Sequence, residues 1–486
     1  MDCAMKFARN GLMAIILAGL SGNFAAHAGP WIDADDVYLR ASIQQLADAG
    51  FLRGHVTTYP LMWSGIARDM SGIDVNWLTD DQTLAYYRIR SALQFAQQPR
   101  INGIKLSANS DEYRQQSFAD TYRENGALQF SRTFVNAHSA GRLRTSFRAG
   151  SSDGKDYTFE GSYLATTLGN WAVSIDQMPV WWGPGQDSAL ALSTNAQPIQ
   201  ALRVNRLQDD PFQLPILSWA GHWHATAFIG RTQSAGPLGD SEIAGARLTT
   251  RPFSALQLGM SYTQQWGGSG GDFGGGTGAQ SDVDYGQQRN SLVAADARIA
   301  LPYAVAIYGE VARRAGDSKQ VSDAAVLIGA DHYLTFSDNL HQLFLEYADV
   351  PAYFYDDEVD PQGYRRWQAS MGAGQDQDVS SISLGYRFQL ADGTAWRITL
   401  RQQNLGSSNR LMAVQHAEQS AVANDMFEVN RQQLDISYQT ALGETLFTLA
   451  GTFSRDEIKT RASAADNLIA TTENDLTVRA AWEFRY

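Results

Sequence analysis

The chain has 486 residues, 44% apolar and 18% charged, with its single cysteine at position 3. A mean hydropathy of -0.30 excludes a bundle of transmembrane helices, and 11% aromatic residues exclude a disordered chain. Thirty-eight basic against 51 acidic residues, net -13, exclude a generic nucleic-acid binder.

Lys6 and Arg9 precede an apolar run from Gly11 to Leu20 that ends in Ala26-His27-Ala28. A charged head, a short apolar core and an Ala-x-Ala site predict a secretory signal peptide over residues 1–28. Cleavage there leaves 458 residues (486 minus 28) with 36 basic and 50 acidic, and removes Cys3. The exported chain then needs cohesion from something other than disulfides, and a closed hydrogen-bonded sheet supplies it.

Residues 29–100 carry a helical period. Leu39, Ile43 and Leu46 share one face behind Asp33, Asp35 and Asp36, whose charge suits a helix N-terminus, and Gly50 is a stop. A second helix is expected from Pro60 through Met62, Ile66 and Met70, and a third after Thr79 that closes before Pro99. Three short amphipathic helices barely make a core alone, so they need a larger partner.

From residue 101 to 486 the period is two. Leu476, Val478, Ala480, Trp482, Phe484 and Tyr486 alternate with Thr477, Arg479, Ala481, Glu483 and Arg485. Ile382, Leu384, Tyr386 and Phe388 do the same against Ser381, Ser383, Gly385 and Arg387. One greasy and one wet face, about eighteen such segments, and connections that alternate short and long predict an all-β transmembrane barrel of antiparallel strands. Two weak links, near Ser152 and at Gln208–Pro215, leave sixteen strands as the alternative. A soluble sandwich or propeller also alternates, but strands of ten or more residues with a greasy face favour the barrel. The long connections, among them Val180–Ile199, are expected to be outer loops.

Residues 181–198 read Trp181-Trp182-Gly183-Pro184-Gly185-Gln186-Asp187, then Leu190, Leu192, Ser193, Thr194, Asn195, Ala196, Gln197 and Pro198, followed by a Leu202–Arg206 strand. With the export signal, Asp36-Val37-Tyr38-Leu39-Arg40 and Leu46-Ala47-Asp48-Ala49-Gly50, this resembles the capsule-assembly outer-membrane protein family, the Wzi-like proteins. The resemblance implies an outer-membrane barrel of a Gram-negative-type bacterium, with a small N-terminal helical plug on the periplasmic side. It also implies a lectin-like, non-enzymatic role with exported capsular or exopolysaccharide at the cell surface. Residues 267–286, rich in glycine, and 351–378, acidic and aromatic, match nothing in the family pattern.

Thirty-three of the 38 basic residues are arginine, and guanidinium forks suit the carboxylates of acidic sugars. Arg142, Arg144, Arg387, Arg397, Arg401 and Arg479 are expected on the lumen face. There they could hold such groups or pair with Asp176, Glu346, Asp435 and Glu483 and stiffen the barrel. Trp181 and Trp182 are candidate sugar platforms or a lipid-interface girdle. Asn195, Arg203 and Arg206 join them from the family-like block, and Tyr355, Tyr364, Arg365, Arg366 and Trp367 from the aromatic loop. Tyr353, Phe354, Asp356, Asp357, Glu358 and Asp360 lie in the same loop without EF-hand spacing. His222 and His224 share a strand face but have no third ligand in sequence range, so no metal and no cofactor is expected. No Gly-x-Ser-x-Gly or His-Glu-x-x-His motif is present, so no catalytic residues are assigned. The expected partners are an acidic surface polysaccharide, outer-membrane lipid and, through the terminal aromatic Tyr486, the barrel-assembly machinery. A diffusion porin and an outer-membrane hydrolase with a scattered triad are the alternatives.

Overall fold

The computed structural model describes residues 29–111, 115–120, 123–151, 153–232, 241–267, 289–315, 324–334, 339–356, 363–411, 426–461 and 468–486. The leader, nearly all of the glycine-rich stretch, and Asp357, Glu358 and Asp360 lie outside these residues.

Three helices form the N-terminal part: α1 (Val37–Asp48), α2 (Trp63–Met70) and α3 (Asp80–Ala96). Local chemistry sets their ends. The Asp36 carboxylate accepts the Tyr38 and Leu39 amides, each at 2.9 Å, and satisfies two N–H groups the helix leaves unpaired. Gly50 takes φ 85° behind α1, the left-handed position glycine fills without strain. Thr79 and Gln82 close a capping box on α3. α2 begins three residues later than Pro60 suggests. Thr58–Tyr59 and Leu61–Met62 are drawn into short ladders with Trp181–Trp182 and Trp31–Ile32 instead.

The barrel consists of β1 (Arg100–Asn109), β2 (Gly126–Val135), β3 (Ser139–Ala149), β4 (Tyr163–Leu168), β5 (Trp171–Asp176), β6 (Gln200–Arg206), β7 (His222–Thr232), β8 (Ser241–Phe253) and β9 (Leu256–Gly267). It continues with β10 (Arg289–Leu301), β11 (Val305–Ala315), β12 (Ala325–Tyr333), β13 (Leu340–Val350), β14 (Val379–Gln389), β15 (Ala395–Leu405), β16 (Met426–Leu442), β17 (Thr445–Arg461) and β18 (Leu468–Arg485). The two-residue segment Tyr157–Thr158 pairs with β3 just as β4 does, so the two make one interrupted strand and the closed sheet has eighteen. All neighbours are antiparallel, and β18 pairs with β1 to close the ring. A short 3₁₀ helix, Ser218–Ala220, precedes β7, which starts at His222.

Alternation divides each strand between two surroundings. On β13, Leu343, Leu345 and Tyr347 are exposed on the outer wall while Phe344, Glu346 and Ala348 are buried inside. Near the short turns, the outward rings of His341, Tyr386, Phe388, Trp396 and Tyr438 run around the wall from β13 to β16 with centroids 4.7–6.3 Å apart. That is the aromatic girdle expected at a bilayer interface. Lipid offers no hydrogen bonds to the backbone, so closure of the sheet is what lets it span. No helix among the described residues is long and apolar enough to cross a membrane.

The inward faces of the strands meet the N-terminal part directly. Arg298 of β10 bonds Asp48 at 2.6 Å, Tyr333 of β12 donates to the Ala41 carbonyl at 3.1 Å, and Arg142 of β3 pairs with Asp33. One buried apolar cluster includes Ile43, Leu46, Tyr59 and Phe118 together with Trp181, and a second fills the lumen around Trp182, Leu190, Phe228 and Tyr308.

Candidate functional site

The segment 180–199, expected as an outer loop, folds into the lumen. Every residue from Val180 to Ile199 is buried. Two lumen carboxylates hold it by its backbone. Glu346 accepts the amides of Gln186 at 2.6 Å and Ser188 at 2.8 Å, and Glu310 those of Leu190 and Ala191 at 3.2 and 3.1 Å. Glycine permits this fit. A Cβ on Gly185 would lie 2.0 Å from the Ser188 carbonyl oxygen, and Gly183 has φ 142° with Glu310 2.6 Å from where its Cβ would be.

The structure corrects the expected roles of the two tryptophans. Trp181 and Trp182 are 0% exposed, so neither offers a ring face to a sugar or to lipid. Trp181 pairs with Tyr59 in a short ladder and packs edge-on to Phe118 at 5.4 Å. Trp182 lies against Phe228 at 5.6 Å. Arg40 of α1 is 1% exposed, with its guanidinium 4.2 Å from the Phe118 ring and bonded to the Gly185 carbonyl at 2.6 Å. It ties the helical part to the inserted segment.

The lumen arginines are engaged by the protein itself. Arg401 bonds Asp187 at 2.6 and 2.8 Å and also pairs with Asp435. Arg397 pairs with Asp120, and Arg144 reaches Asp33 at 3.9 Å. Arg387 donates to the side chains of Gln186 at 2.7 Å and Gln342 at 3.0 Å. Arg479 donates to Thr452 at 3.0 Å. Asp176 pairs with Arg203, whereas Glu346 holds backbone amides and the Tyr308 hydroxyl rather than an arginine.

The remaining candidates are also largely interior. Asn195 donates to the Ser370 carbonyl at 2.9 Å and accepts the Gln116 amide at 3.0 Å. Arg206 donates to the Trp223 carbonyl at 2.6 Å. Tyr355 and Tyr364 are buried and donate to the Leu190 and Ala191 carbonyls at 2.8 and 3.0 Å. Arg365 bonds Asp376 and Asp356 at 2.5 and 2.7 Å, and Arg366 donates to the Gln197 carbonyl at 2.9 Å. Burial would raise the Asp356 carboxyl, but Arg365 beside it outweighs burial and holds it below the usual carboxylate range.

Trp367 and Tyr353, on the long-loop side, keep part of their surface exposed. Trp367, half-buried, and Gln368, exposed, form the tip of a hairpin in which Arg365 pairs with Ser370 and Arg366 with Ala369. Their φ values are 49° and 65°, a left-handed pair that such a turn normally gives to Asn and Gly. The Lys155 ammonium lies 5.6 Å from the Trp367 ring centroid. Tyr353 has φ 61°, is 49% exposed, and its amide donates to Ser408 Oγ at 3.3 Å. Exposed Arg410 is nearby, 3.4 Å from Asp356. Left-handed backbone at bulky residues costs about 1–3 kcal/mol each and survives where the surroundings over-determine it. Sequence reasoning missed Lys155, Gln368 and Arg410, which reach this surface from separate loops with no local motif.

On the short-turn side, His222 and His224 both point inward, but to different partners. His222 Nδ1 faces the Asp209 carbonyl at 2.7 Å, and His224 Nδ1 faces the Asp209 carboxylate at 3.2 Å.

Residues 96–469 match the sequence profile of the family described as capsule assembly protein Wzi. An uncharacterized 55.8 kDa protein in the cps region of Klebsiella pneumoniae is 26% identical over 275 residues, which cover 55% of this chain. The match spans about half, 53%, of that relative's length. Among solved structures, Wzi of Escherichia coli superposes with a TM-score of 0.76 at 19% identity, covering 94% of this chain and 99% of that one. That protein is an outer-membrane protein involved in group 1 capsule assembly and a carbohydrate-binding β-barrel.

Proposed function

This chain belongs to the capsule assembly protein Wzi family, and from that premise we propose that it is an outer-membrane lectin that binds exported polysaccharide at the cell surface. The observation that carries the site assignment is the pair of partly exposed aromatics, Trp367 and Tyr353, each on left-handed backbone, with Lys155 5.6 Å from the Trp367 ring and Arg314 donating to the Tyr353 carbonyl at 3.5 Å. An aromatic face next to a cation suits a sugar ring that bears a carboxylate or pyruvyl group. The polysaccharide is therefore acidic, and its attraction is local, since the net charge of -13 repels polyanions overall.

The buried members of the family-like block, Trp181, Trp182, Asn195, Arg203 and Arg206, build the support beneath this surface. Tyr355, Tyr364, Arg365 and Arg366 hold the hairpin that presents Trp367. The helical part serves as a periplasmic plug, supported by its bonds to Arg142, Arg251, Arg298 and Tyr333 of the wall. The apolar outer wall takes outer-membrane lipid, and assembly uses the terminal aromatic strand. The role is binding without turnover.

The test is capsule retention on intact cells. Trp367→Ala combined with Tyr353→Ala should lower retained polysaccharide and raise the shed fraction, each lost stacking contact weakening binding by about 0.5–1.5 kcal/mol. Unchanged retention at normal surface levels of the protein would sink the site. Unchanged retention after deletion of the whole gene would sink the function.

A further inference from the structure

Strand β6 runs from the inserted segment to Arg206, so residues 207–221, which join it to β7, lie on the rim of the short turns. The β16–β17 turn on that rim is only Gly443 and Glu444. Here the chain instead reads Pro211-Phe212-Gln213-Leu214-Pro215-Ile216-Leu217-Ser218-Trp219-Ala220-Gly221, and no Asp, Glu, Lys or Arg occurs between Asp210 and Arg231. The apolar side chains of this turn do not enter a core. Ile216 is 84% exposed, Trp219 69% and Leu214 63%. A cluster of that kind marks a contact surface.

Ring packing sets the turn against the outside of the barrel. On β7, His224, Thr226 and Phe228 are buried inside, whereas Ala227 and Ile229 are exposed on the outer wall. The register with β8 is unbroken from His222 to Thr232, so the two-residue period makes Trp223 an outward ring. Phe212 stacks on Trp223 with centroids 4.5 Å apart and planes 2° from parallel, and the Arg206 guanidinium lies 3.7 Å from the same ring. Both ends of the turn are pinned to the rim, Pro211 by a bridge to His222 and Gly221 by one to Arg251. Gly221 takes φ 66°, and a Cβ there would lie 2.1 Å from the Arg251 carbonyl oxygen. Exposed Trp171 at the start of β5 and exposed Phe253 at the end of β8 flank the turn on either side. They continue around the wall the aromatic band that runs from β13 to β16.

The backbone suits a poorly hydrated place. Pro211 and Pro215 have no N–H, and the Leu217, Ala220 and Gly221 amides donate within the turn at 3.0–3.2 Å. The Ser218 hydroxyl donates to the Pro215 carbonyl at 2.9 Å. Few groups are left to give a protein partner directional contacts. A bilayer interface asks only for apolar and aromatic side chains beside satisfied backbone.

We propose that the β6–β7 turn is an interfacial anchor that inserts Leu214, Ile216, Leu217 and Trp219 into the periplasmic leaflet of the outer membrane, beside the wall. Asp210 at its start pairs with Arg68 of α2 at 2.6 Å. One turn thus connects bilayer, wall and helical part, and fixes how deep this side of the barrel sits. The inference rests on the outer-membrane placement of the barrel and not on its polysaccharide role.

The test is a depth measurement by nitroxide labelling of the full-length protein in vesicles of phosphatidylethanolamine and phosphatidylglycerol, at a protein-to-lipid ratio low enough to separate copies. Each variant carries Cys3→Ser and one introduced cysteine. Collisions with oxygen and with a water-soluble nickel chelate should place Ile216→Cys about 5–10 Å below the phosphates. Leu345→Cys on the outer wall should read as membrane-embedded, and Glu444→Cys on the same rim as aqueous. Leu214→Cys and Trp219→Cys repeat the measurement, so failure of one variant to assemble leaves it standing. An Ile216 label as accessible to the chelate as the Glu444 label overturns the anchor, and an aqueous Leu345 label overturns the membrane placement with it. A label that is aqueous in vesicles yet shielded in isolated outer membranes assigns the surface to a protein partner, which also overturns the proposal.

Discussion

Arginine outnumbers lysine 33 to 5 in this chain, and the lumen shows what the choice achieves. A guanidinium has five donors in a rigid plane and can bridge several acceptors at once. Arg401 joins Asp187 of the inserted segment, Asp435 of β16 and Ser117 in one step. An ammonium at that position would leave some of these unmet. The sequence exposes the arginines through their strand phase, but not their partners, because Asp187, Asp120 and Asp33 arrive from segments whose lumen position follows only from the closed topology. Asp36 illustrates the residue scale for pH. Burial would raise its carboxyl, but Arg88 and the α1 amides outweigh this and hold it below its ordinary value. A depressed carboxylate pKa means the contribution is fully present above the unfolded value of about 3.9 and lost as pH falls through the folded one. Asp36→Asn should therefore lower the melting temperature at neutral pH, and the difference from wild type should shrink as the pH is taken below about 4. A constant difference across that window would show the charge plays no part.

Among elements, the strands were legible because a two-residue period leaves no ambiguity about which face is greasy. The helix starts behind Asp36 and Thr79 were legible for a similarly local reason. The inserted segment was not, since its length and position match an outer loop. It did carry a signal: Asp187 is the single charged residue between Gln177 and Ile199, too few for a loop in water. Its fold depends on the backbone approach at Gly185. Gly185→Ala should cost about 2–3 kcal/mol, since the added methyl meets a backbone carbonyl that cannot move without breaking the Glu346 bonds. The expected readouts are a lower melting temperature in detergent and faster protease nicking within 180–199. Wild-type values in both would show that the segment yields without strain.

For the whole molecule, eighteen strands could enclose a wide aqueous pore. Here the interior holds the inserted segment and an apolar cluster around Trp182, and the inward Arg251 of the wall bonds the loop after α1. Planar-bilayer recording of the intact protein should show no large steady conductance. Arg251→Ala with Arg298→Ala, which removes bonds to Ala47, Leu52, Gly54 and Asp48, should add intermittent openings. A steady porin-like current from the unmodified chain would defeat the plugged reading.

The inside of this molecule also has a timetable. Tyr333 reaches back 292 residues to Ala41, Arg397 277 to Asp120 and Arg401 284 to Ser117. Contacts of such span are made late, because the loops they close must be paid for in entropy before any bond repays it. The helices and the inserted segment are synthesised early yet must wait for strands made last. During biogenesis there is thus an interval in which Trp181, Phe118 and the lumen arginines are still unpartnered. The periplasm has to shelter that interval, so agents that prolong it, such as slowed strand delivery, should injure this protein more than a barrel whose interior is only water.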